Sequence, residues 1–244
     1  MGRLDGKIAL ITGGAGGLGF EDAKYFVNEV AKVAIADMAE EVGKTKATEL
    51  GENAMFVSLN VTDEDSWEKA LTAVEEQFGA VTVLVNNAGI GDTPSYIKDL
   101  DLKDWNKVLA VDLTGVLIGV KYGMRHMAAA GGSIINISSA IGNVGLSRAA
   151  AYSAAKAGVR ELTKTAALEA AELEVPIRVN SVHPGWVDTG IVPEMMKEIA
   201  IAKTPVKRMG QLSDVANLLV YLASDESGFA TGAEFVIDGG FLAG

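Results

Sequence analysis

The feature that most constrains the fold of this chain is a regular alternation of short apolar runs with longer amphipathic stretches along its whole length. Such alternation is typical of repeated β-α units, which build a parallel sheet covered by helices on both faces. Strands are predicted at 8–11, 33–35, 55–57, 81–85, 133–137, 177–182 and 234–237. Helices are predicted at 18–28, 40–50, 64–78, 102–127, 150–171 and 213–223. The pattern predicts a doubly wound α/β fold.

The chain is predicted to form one domain over residues 1–244. It contains five prolines, and no linker-like segment interrupts the alternation. A doubly wound sheet of this size can enclose one core. Asp63 and Ser213 are predicted N-caps, because their side-chain oxygens can accept from unpaired helix amides. The stretch 184–210 lacks regular periodicity, so we expect it to be a substrate-binding lid.

Composition and charge argue against several classes of protein. The chain has no cysteine and two histidines, so a zinc-dependent alcohol dehydrogenase is not expected. A formal net charge of −11 opposes binding to nucleic acids and to anionic membranes. The longest stretch without charged residues, 126–147, is interrupted by glycine, serine and asparagine, and no apolar signal segment opens the sequence. We therefore expect a cytoplasmic protein without a membrane or nucleic-acid partner.

A glycine-rich segment lies between the first predicted strand and the first predicted helix. It reads Thr-Gly-Gly-Ala-Gly-Gly-Leu-Gly over residues 12–19. Glycines allow the backbone to turn sharply and to approach a pyrophosphate, whose charge then lies on the unpaired amides of a helix N-terminus. A glycine-rich turn without a ligand is the alternative. The strand–loop–helix position favours dinucleotide binding by Gly13, Gly17, Leu18 and Gly19.

An acidic residue, Asp37, follows the second predicted strand. A carboxylate at this place can accept hydrogen bonds from an adenosine ribose and repels a 2′-phosphate. No lysine or arginine lies in the glycine loop or directly after Asp37 to neutralise such a phosphate. The sequence therefore predicts NAD, as NAD or NADH, in preference to NADP. An exposed aspartate that caps a helix is the alternative.

Tyr152 and Lys156 lie four positions apart in the fifth predicted helix, which places the phenol and the ammonium on one helix face. A surface pair would show the same spacing, so the surrounding motifs decide the interpretation. Ser139 follows a predicted buried strand, at the sheet edge where open α/β sheets bind ligands. When a hydride adds to a carbonyl carbon, Ser139 can donate a hydrogen bond to the oxygen and Tyr152 can deliver the proton. A cation such as Lys156 favours the phenolate form of a nearby phenol.

With these residues in place, the chain strongly resembles the single-domain branch of the short-chain dehydrogenase/reductase family. The resemblance extends over residues 4–240. It is carried by 12–19, Asn86-Asn87-Ala88-Gly89, Ser139, Tyr152 with Lys156, and Pro184-Gly185-Trp186-Val187-Asp188-Thr189. It implies a Rossmann-type sheet of seven parallel strands in the order 3-2-1-4-5-6-7, and commonly a homotetramer.

The resemblance also assigns roles around a bound cofactor. Asn87 would contact the adenosine ribose, and Lys156 would bind the nicotinamide ribose besides acting on Tyr152. Val187 and Thr189 would hold the carboxamide. The further cofactor-binding positions that the motifs imply are Tyr152, Ala88, Gly89, Pro184, Gly185 and, beside adenine, Asn60 and Val61.

Two positions depart from the family's pattern. Asn60 stands where the family usually has an aspartate beside adenine, and an amide can keep that contact. Asp112 stands where the family commonly has an asparagine that completes a catalytic tetrad and supports a water relay from the lysine to solvent. A buried carboxylate is costly, so Asp112 should hold a proton or pair with a cation such as Lys156. We count Asp112 as a fourth catalytic residue that takes part of the relay.

Apolar residues in the proposed lid and after Ser139 predict an apolar substrate pocket. The candidate contacts are Ser139, Ile141, Val144, Trp186, Met195 and Met196. Apolar residues at helical spacing are more often simple packing, which is the alternative. The apolar pocket therefore predicts a small apolar ketone or secondary alcohol as the ligand. The carboxyl-terminal sequence 221–240 resembles bacterial secondary-alcohol dehydrogenases and carbonyl reductases, which narrows the branch of the family but not the substrate.

Three other functions stay open. A hydroxysteroid or other cyclic-alcohol dehydrogenase would use the same residues. A 3-oxoacyl carrier-protein reductase would normally use NADP and bind an acidic partner, which Asp37 and the charge of −11 disfavour. A non-catalytic NAD(H) sensor would keep the nucleotide fold without the chemistry, although Ser139, Tyr152 and Lys156 argue against it. A structural magnesium is left undetermined by the sequence.

Overall fold

All seven predicted strands are present and form one parallel sheet. The computed structural model describes residues 2–189 and 194–244, with the backbone alone for 194–196. The strands are β1 (Ile8–Thr12), β2 (Lys32–Asp37), β3 (Ala54–Ser58), β4 (Val83–Asn86), β5 (Gly132–Ile137), β6 (Ile177–Pro184) and β7 (Glu234–Ile237). Their order is β3-β2-β1-β4-β5-β6-β7. This order confirms the predicted topology, in which the chain reverses direction across the sheet between β1 and β4.

The sheet is apolar on both faces because helices cover both. Successive side chains of a strand point to opposite faces. In β1, Leu10 packs into the apolar cluster on one face, whereas Ala9 and Ile11 pack into the cluster on the other. Burial on both sides explains why the strands are continuous apolar runs in the sequence rather than alternating ones.

Eight helices are described. They are α1 (Gly17–Asn28), α2 (Glu40–Leu50), α3 (Glu64–Phe78), α4 (Leu102–Leu109), α5 (Gly115–His126), α6 (Ala150–Glu172), α7 (Glu194–Lys203) and α8 (Leu212–Ala223). Side chains of α1, α2 and α8 enter one apolar cluster, and those of α3, α5 and α6 enter the other. No helix in 2–189 or 194–244 is both long enough and apolar enough to span a membrane.

The predicted helix at 102–127 is interrupted by a wider turn. Residues Ala110–Thr114 form a π-helical turn between α4 and α5, in which the N–H of Gly115 donates to the carbonyl of Ala110. Such a turn accommodates one extra residue in the helix and is frequent at functional sites. Asp112 lies in this turn and is fully buried. The turn therefore carries the Asp112 carboxyl group into the protein interior.

Two further differences concern the ends of helices. The segment 184–210 was expected to be irregular, but α7 occupies Glu194–Lys203. Ser213 does not cap α8; that position belongs to Gln211, whose N–H donates to the Asp214 carboxylate at 2.8 Å. The Asp63 cap is confirmed, since its carboxylate accepts from the N–H of Asp65 at 3.3 Å.

Candidate active site

A cavity of about 500 Å³ opens at the carboxyl edge of the sheet. Its walls come from the segments that follow β4, β5 and β6, and from the first turns of α6. Ligands bind at this edge in open α/β sheets, where the strand order reverses. The cavity therefore lies where the sequence placed the ligand.

The glycine loop after β1 has the backbone that an anion site requires. Gly13 and Gly17 adopt positive φ angles of 64° and 52°. A Cβ atom on Gly19 would lie 2.5 Å from the carbonyl oxygen of Gly13, whereas one on Gly16 would meet no atom within 4 Å. No side chain caps α1, and its first turn carries no acidic residue. The free amides at the start of α1 thus face open space and fit a pyrophosphate group.

Asn87 joins the end of β4 to the glycine loop. Its Nδ2 donates to the carbonyl of Thr12 at 2.9 Å, and its backbone N–H donates to Thr12 Oγ1 at 3.0 Å. The N–H of Ala88 donates to the same hydroxyl at 2.9 Å. These bonds hold the loop against β4, so the residues expected around the nucleotide form one connected unit.

Asp37, at the end of β2, is bound to backbone amides. Its Oδ2 accepts from the N–H of Ala15 in the glycine loop at 3.1 Å, and its Oδ1 accepts from the N–H of Ala39 at 3.0 Å. Both oxygens therefore already stabilise local backbone. On the same side, Asn60 Oδ1 accepts from the N–H and the hydroxyl of Thr62, at 3.1 and 2.9 Å.

Ser139, Tyr152 and Lys156 line the same cavity. The Lys156 ammonium lies 5.5 Å from the centre of the Tyr152 ring and donates to the carbonyl of Ile137 at 3.1 Å. The Ser139 hydroxyl oxygen accepts from the N–H of Ile141 at 3.2 Å, which leaves its own proton for another acceptor. The structure thus brings together a hydroxyl donor, a phenol and a cation.

Asp112 pairs with Lys156 inside the protein. Its Oδ2 lies 3.2 Å from the ammonium, and its Oδ1 accepts from the N–H of Ile90 at 2.8 Å. The carboxyl is fully buried, and 3% of Lys156 is exposed. Burial raises the pKa of the Asp112 carboxyl above its ordinary value, while Lys156 and the Ile90 amide limit that rise. Of the two arrangements expected for Asp112, the structure shows the ion pair.

Asp92 is a site residue that the sequence did not reveal. Both of its carboxylate oxygens accept from the backbone N–H of Tyr152, at 3.1 and 3.2 Å. This N–H lies in the first turn of α6, where helix amides lack partners within the helix. Asp92 therefore caps α6 from a distant loop and fixes the backbone that carries the phenol.

His183, in β6, contacts the backbone carbonyl of Ser139. Its Nδ1 lies 3.3 Å from the carbonyl oxygen of Ser139 and its Nε2 lies 2.8 Å from the hydroxyl of Ser181. Burial lowers the pKa of this fully buried imidazole, so the neutral form is favoured. In that form Nδ1–H donates to Ser139 and Nε2 accepts from Ser181, a tautomer that the hydrogen-bond network assigns.

The predicted substrate contacts divide into three groups. Ile141 and Trp186 line the cavity, whereas Val144 is 41% exposed and does not belong to its wall. Val144 lies in the exposed turn between β5 and α6, which turns its side chain away. The side chains of Met195 and Met196 lie outside the described residues, as do the lid positions 190–193. Phe241, near the carboxyl end, lines the cavity without having been predicted.

The residues predicted to hold the cofactor form two groups. Those on the cavity wall are Leu18, Asn87, Gly89, Tyr152, Lys156, Pro184, Gly185, Val187 and Thr189. Those that do not line it are Gly13, Gly17, Gly19, Asp37, Asn60, Val61 and Ala88. Within 2–189 and 194–244, no group of three or more His, Asp or Glu side chains is arranged to hold a metal ion.

The sequence of this chain is similar to those of characterised oxidoreductases over its whole length. A sequence model of a protein family described as enoyl-(acyl carrier protein) reductase matches residues 13–242. An NADP-dependent (R)-specific alcohol dehydrogenase of Lentilactobacillus kefiri is 44% identical, over 99% of this chain and 98% of the relative. A 3-alpha-(or 20-beta)-hydroxysteroid dehydrogenase of Mycobacterium tuberculosis is 46% identical, over 100% and 92%. A trans-4-hydroxycyclohexanecarboxylate dehydrogenase of Sinomonas cyclohexanicum is 44% identical, over 99% and 95%.

These similarities correct the predicted cofactor preference. The preference for NAD over NADP is wrong, since the Lentilactobacillus kefiri relative, at 44% identity, is described as NADP-dependent. The prediction assumed that the Asp37 carboxylate acts on the ribose, but both of its oxygens accept from the backbone amides of Ala15 and Ala39. Asp37 therefore has a structural role, because its carboxylate binds the backbone of the glycine loop. Asp37 therefore gives no reason to disfavour an NADP-dependent reductase.

Proposed function

The chain belongs to the short-chain dehydrogenase/reductase family and is an oxidoreductase that acts on alcohols, and from that premise we propose that it interconverts secondary alcohols and ketones with Tyr152 as general acid and base. One observation carries the proposal: Ser139, Tyr152 and Lys156 line a single cavity at the carboxyl edge of the sheet. This set supplies a hydrogen bond, a proton and a cation to one carbonyl oxygen.

In the direction of ketone reduction, a bound nicotinamide cofactor would supply the hydride that adds to the carbonyl carbon, and in alcohol oxidation its oxidised form would accept that hydride. The Ser139 hydroxyl donates a hydrogen bond to the carbonyl oxygen, on which negative charge develops. Tyr152 delivers its phenolic proton to that oxygen, which completes the alcohol. In the direction of oxidation, the phenolate of Tyr152 takes the proton from the alcohol. The Lys156 ammonium stabilises that phenolate.

The residues that hold the cofactor are proposed on the same geometry. The amides at the start of α1 would bind the pyrophosphate, since they have no capping side chain. Asn87, which binds Thr12 of the glycine loop, would contact the adenosine ribose. Val187 and Thr189 would hold the carboxamide, because they line the same cavity as Tyr152. The proposal covers both nicotinamide dinucleotides.

A cyclic secondary alcohol is the second candidate for the substrate. Two aromatic side chains, Trp186 and Phe241, lie on the cavity wall and can pack against the faces of a ring. The hydroxysteroid and hydroxycyclohexanecarboxylate relatives are named for ring alcohols. We therefore rank cyclic ketones beside open-chain methyl ketones.

The test of the proposed function is a spectrophotometric assay in which NADH and NADPH are supplied in parallel. The panel contains an open-chain methyl ketone, an aryl ketone, a cyclic ketone, a ketosteroid and an acetoacetyl thioester. Turnover of a ketone with either dinucleotide supports the proposal. Turnover of the thioester alone would replace it with a 3-oxoacyl reductase, and tight dinucleotide binding without turnover would replace it with a sensor.

Loss of the Asp92 cap is expected to affect catalysis more than stability. Asp92→Ala removes both acceptors of the Tyr152 N–H, so the first turn of α6 should loosen and the phenol should lose its fixed position. We expect kcat to fall about tenfold, and the free energy of unfolding to fall by about 1 kcal/mol, a usual cost for a lost helix cap. Asp92→Asn keeps an acceptor and should retain most of the activity.

Asp101→Ala is the matched control for Asp92→Ala. The Asp101 carboxylate caps α4 by accepting from the N–H of Lys103 at 2.8 Å, and its removal should cost similar stability. Because α4 carries none of the proposed catalytic residues, kcat should stay within about twofold of the parent enzyme. Equal changes in kcat for the two alanine variants would contradict a positioning role for Asp92.

A further inference from the structure

The charges at the cavity wall are balanced before any substrate enters. Among the described residues that line the cavity, Lys156 is the only lysine or arginine and Asp112 is the only acidic residue. Their charged atoms lie 3.2 Å apart, and the ammonium also donates to the carbonyl of Ile137 at 3.1 Å. The cation of the site is thus already neutralised by a buried carboxylate.

Much of the remaining cavity wall is apolar. Ile90, Ile141, Leu146, Trp186 and Phe241 present hydrocarbon and aromatic surface to the cavity. The position of Phe241 is fixed, because the Asp238 carboxylate accepts from the N–H groups on either side of it, of Gly240 and Leu242, each at 2.8 Å. A carboxylate on the substrate would lose its water against this wall and find no ionic partner there.

Two cations close to the cavity walls, Lys197 and Arg148, also have partners within the protein. Lys197 lies 2.8 Å from the Asp188 carboxylate. Arg148 donates to the Tyr96 hydroxyl at 2.6 Å and stacks on that ring. Residues 190–196, whose side chains are not described, read Gly-Ile-Val-Pro-Glu-Met-Met and contain no lysine or arginine.

A negative charge lies close to the reacting groups as well. The Asp92 carboxylate binds the N–H of Tyr152 and neighbours Gly91, which lines the cavity. Asp92 is also close enough to raise the pKa of the Asp112 carboxyl by repulsion. An anionic substrate would meet the same repulsion.

We propose that this enzyme selects uncharged ketones and alcohols and discriminates against substrates that carry a carboxylate, an inference that rests on the proposed function. Burial of a charge without a partner opposes binding strongly, because the charge loses its hydration. A neutral group of the same size does not have this desolvation cost, so only its steric fit matters. This preference would separate the chain from the relative named for trans-4-hydroxycyclohexanecarboxylate, despite 44% identity.

The experiment compares two ketones that differ in charge and little in shape. They are 4-oxocyclohexanecarboxylate and its methyl ester, assayed at pH 7.5 with whichever nicotinamide dinucleotide supports turnover. We expect kcat/KM for the ester to exceed that for the acid by about 100-fold, with cyclohexanone close to the ester. A ratio below about 10 would overturn the inference while ketone turnover upheld the proposed function. No turnover of any ketone would remove both.

A cation placed on the wall should weaken the discrimination against the carboxylate. Leu146 is half-buried at the cavity, so Leu146→Arg can extend toward the substrate without burial in the core. We expect this variant to raise the acid-to-ester ratio of kcat/KM at least about tenfold, while the control Leu146→Met leaves the ratio unchanged. If both variants left it unchanged, shape rather than charge would explain the preference, and the inference would be wrong.

Discussion

Tyr152→Phe should reduce kcat for ketone reduction by about 1,000-fold, because it removes a single oxygen from the proposed active site. Positioned proton donors contribute roughly 100- to 10,000-fold to such reactions, and within the described residues Tyr152 is the only phenol on the cavity wall. The ring remains in place beside Lys156, so dinucleotide binding should change by less than about threefold. The measurement is kcat together with the dissociation constant of NADH or NADPH, followed by tryptophan fluorescence.

Tyr96→Phe provides the control for that substitution. Tyr96 is exposed, and its hydroxyl accepts from the Arg148 guanidinium at 2.6 Å. Its loss should leave kcat within about twofold. If Tyr152→Phe kept full activity, the general-acid assignment would be wrong. If the parent protein bound dinucleotide without turnover, and Tyr152→Phe bound it equally well, the NAD(H)-sensor function would replace the proposed one.

Lys156→Met is expected to cause the largest loss of stability. It leaves Asp112 as a fully buried carboxylate that still accepts from the N–H of Ile90 but has lost its cation. Breaking a buried ion pair by removing one partner typically costs about 3–5 kcal/mol, which corresponds to roughly 10 °C in Tm for a domain of this size. Activity should fall at least about 100-fold, since the phenolate also loses its cation. Thermal unfolding and kcat are the two measurements.

Asp112→Asn is the partner substitution that isolates the ion pair. In the double variant Lys156→Met with Asp112→Asn, the buried charge is gone, so most of the lost stability should return while activity stays low. Lys164→Met is the control at a partly exposed ion pair with Glu234, and should change Tm by less than about 2 °C. Additive effects on stability in the double variant would show that Lys156 and Asp112 do not interact.

The stability lost in Lys156→Met should depend on pH. Burial already raises the pKa of Asp112, and removal of the ammonium should raise it further. A group with a raised pKa in the folded state binds its proton more tightly there, so its contribution to stability is present at low pH and lost as pH rises through that pKa. The gap in Tm between Lys156→Met and the parent should therefore be smaller at pH 5 than at pH 8.

Asp112→Asn alone should shift the pH dependence of alcohol oxidation. The amide keeps the shape of the side chain but no longer neutralises the Lys156 ammonium, whose full charge then acts on the phenol. The acid limb of the oxidation profile should move to lower pH. An unchanged profile would indicate that Asp112 holds Lys156 in position without tuning the chemistry.

The sequence determined the parts of this protein that depend on neighbouring residues. Burial on both faces makes each strand a continuous apolar run, so all seven strands and their parallel arrangement could be predicted. The glycine loop was visible because its positive φ angles and close contacts require glycine at fixed spacing. The four-residue spacing of Tyr152 and Lys156 is a property of one helix.

The tertiary structure decided what depends on residues far apart in the chain. Asp92 caps the helix of Tyr152 across sixty positions, and the π-helical turn that carries Asp112 could not be predicted from the sequence. Phe241 lies in the cavity because Asp238 folds the last residues back over it. A hydrogen bond or an ion pair acts over a few ångströms in space and leaves no periodicity in the sequence. For the same reason, Asp37 read alone suggested a cofactor preference, whereas the fold shows its oxygens bound to backbone amides.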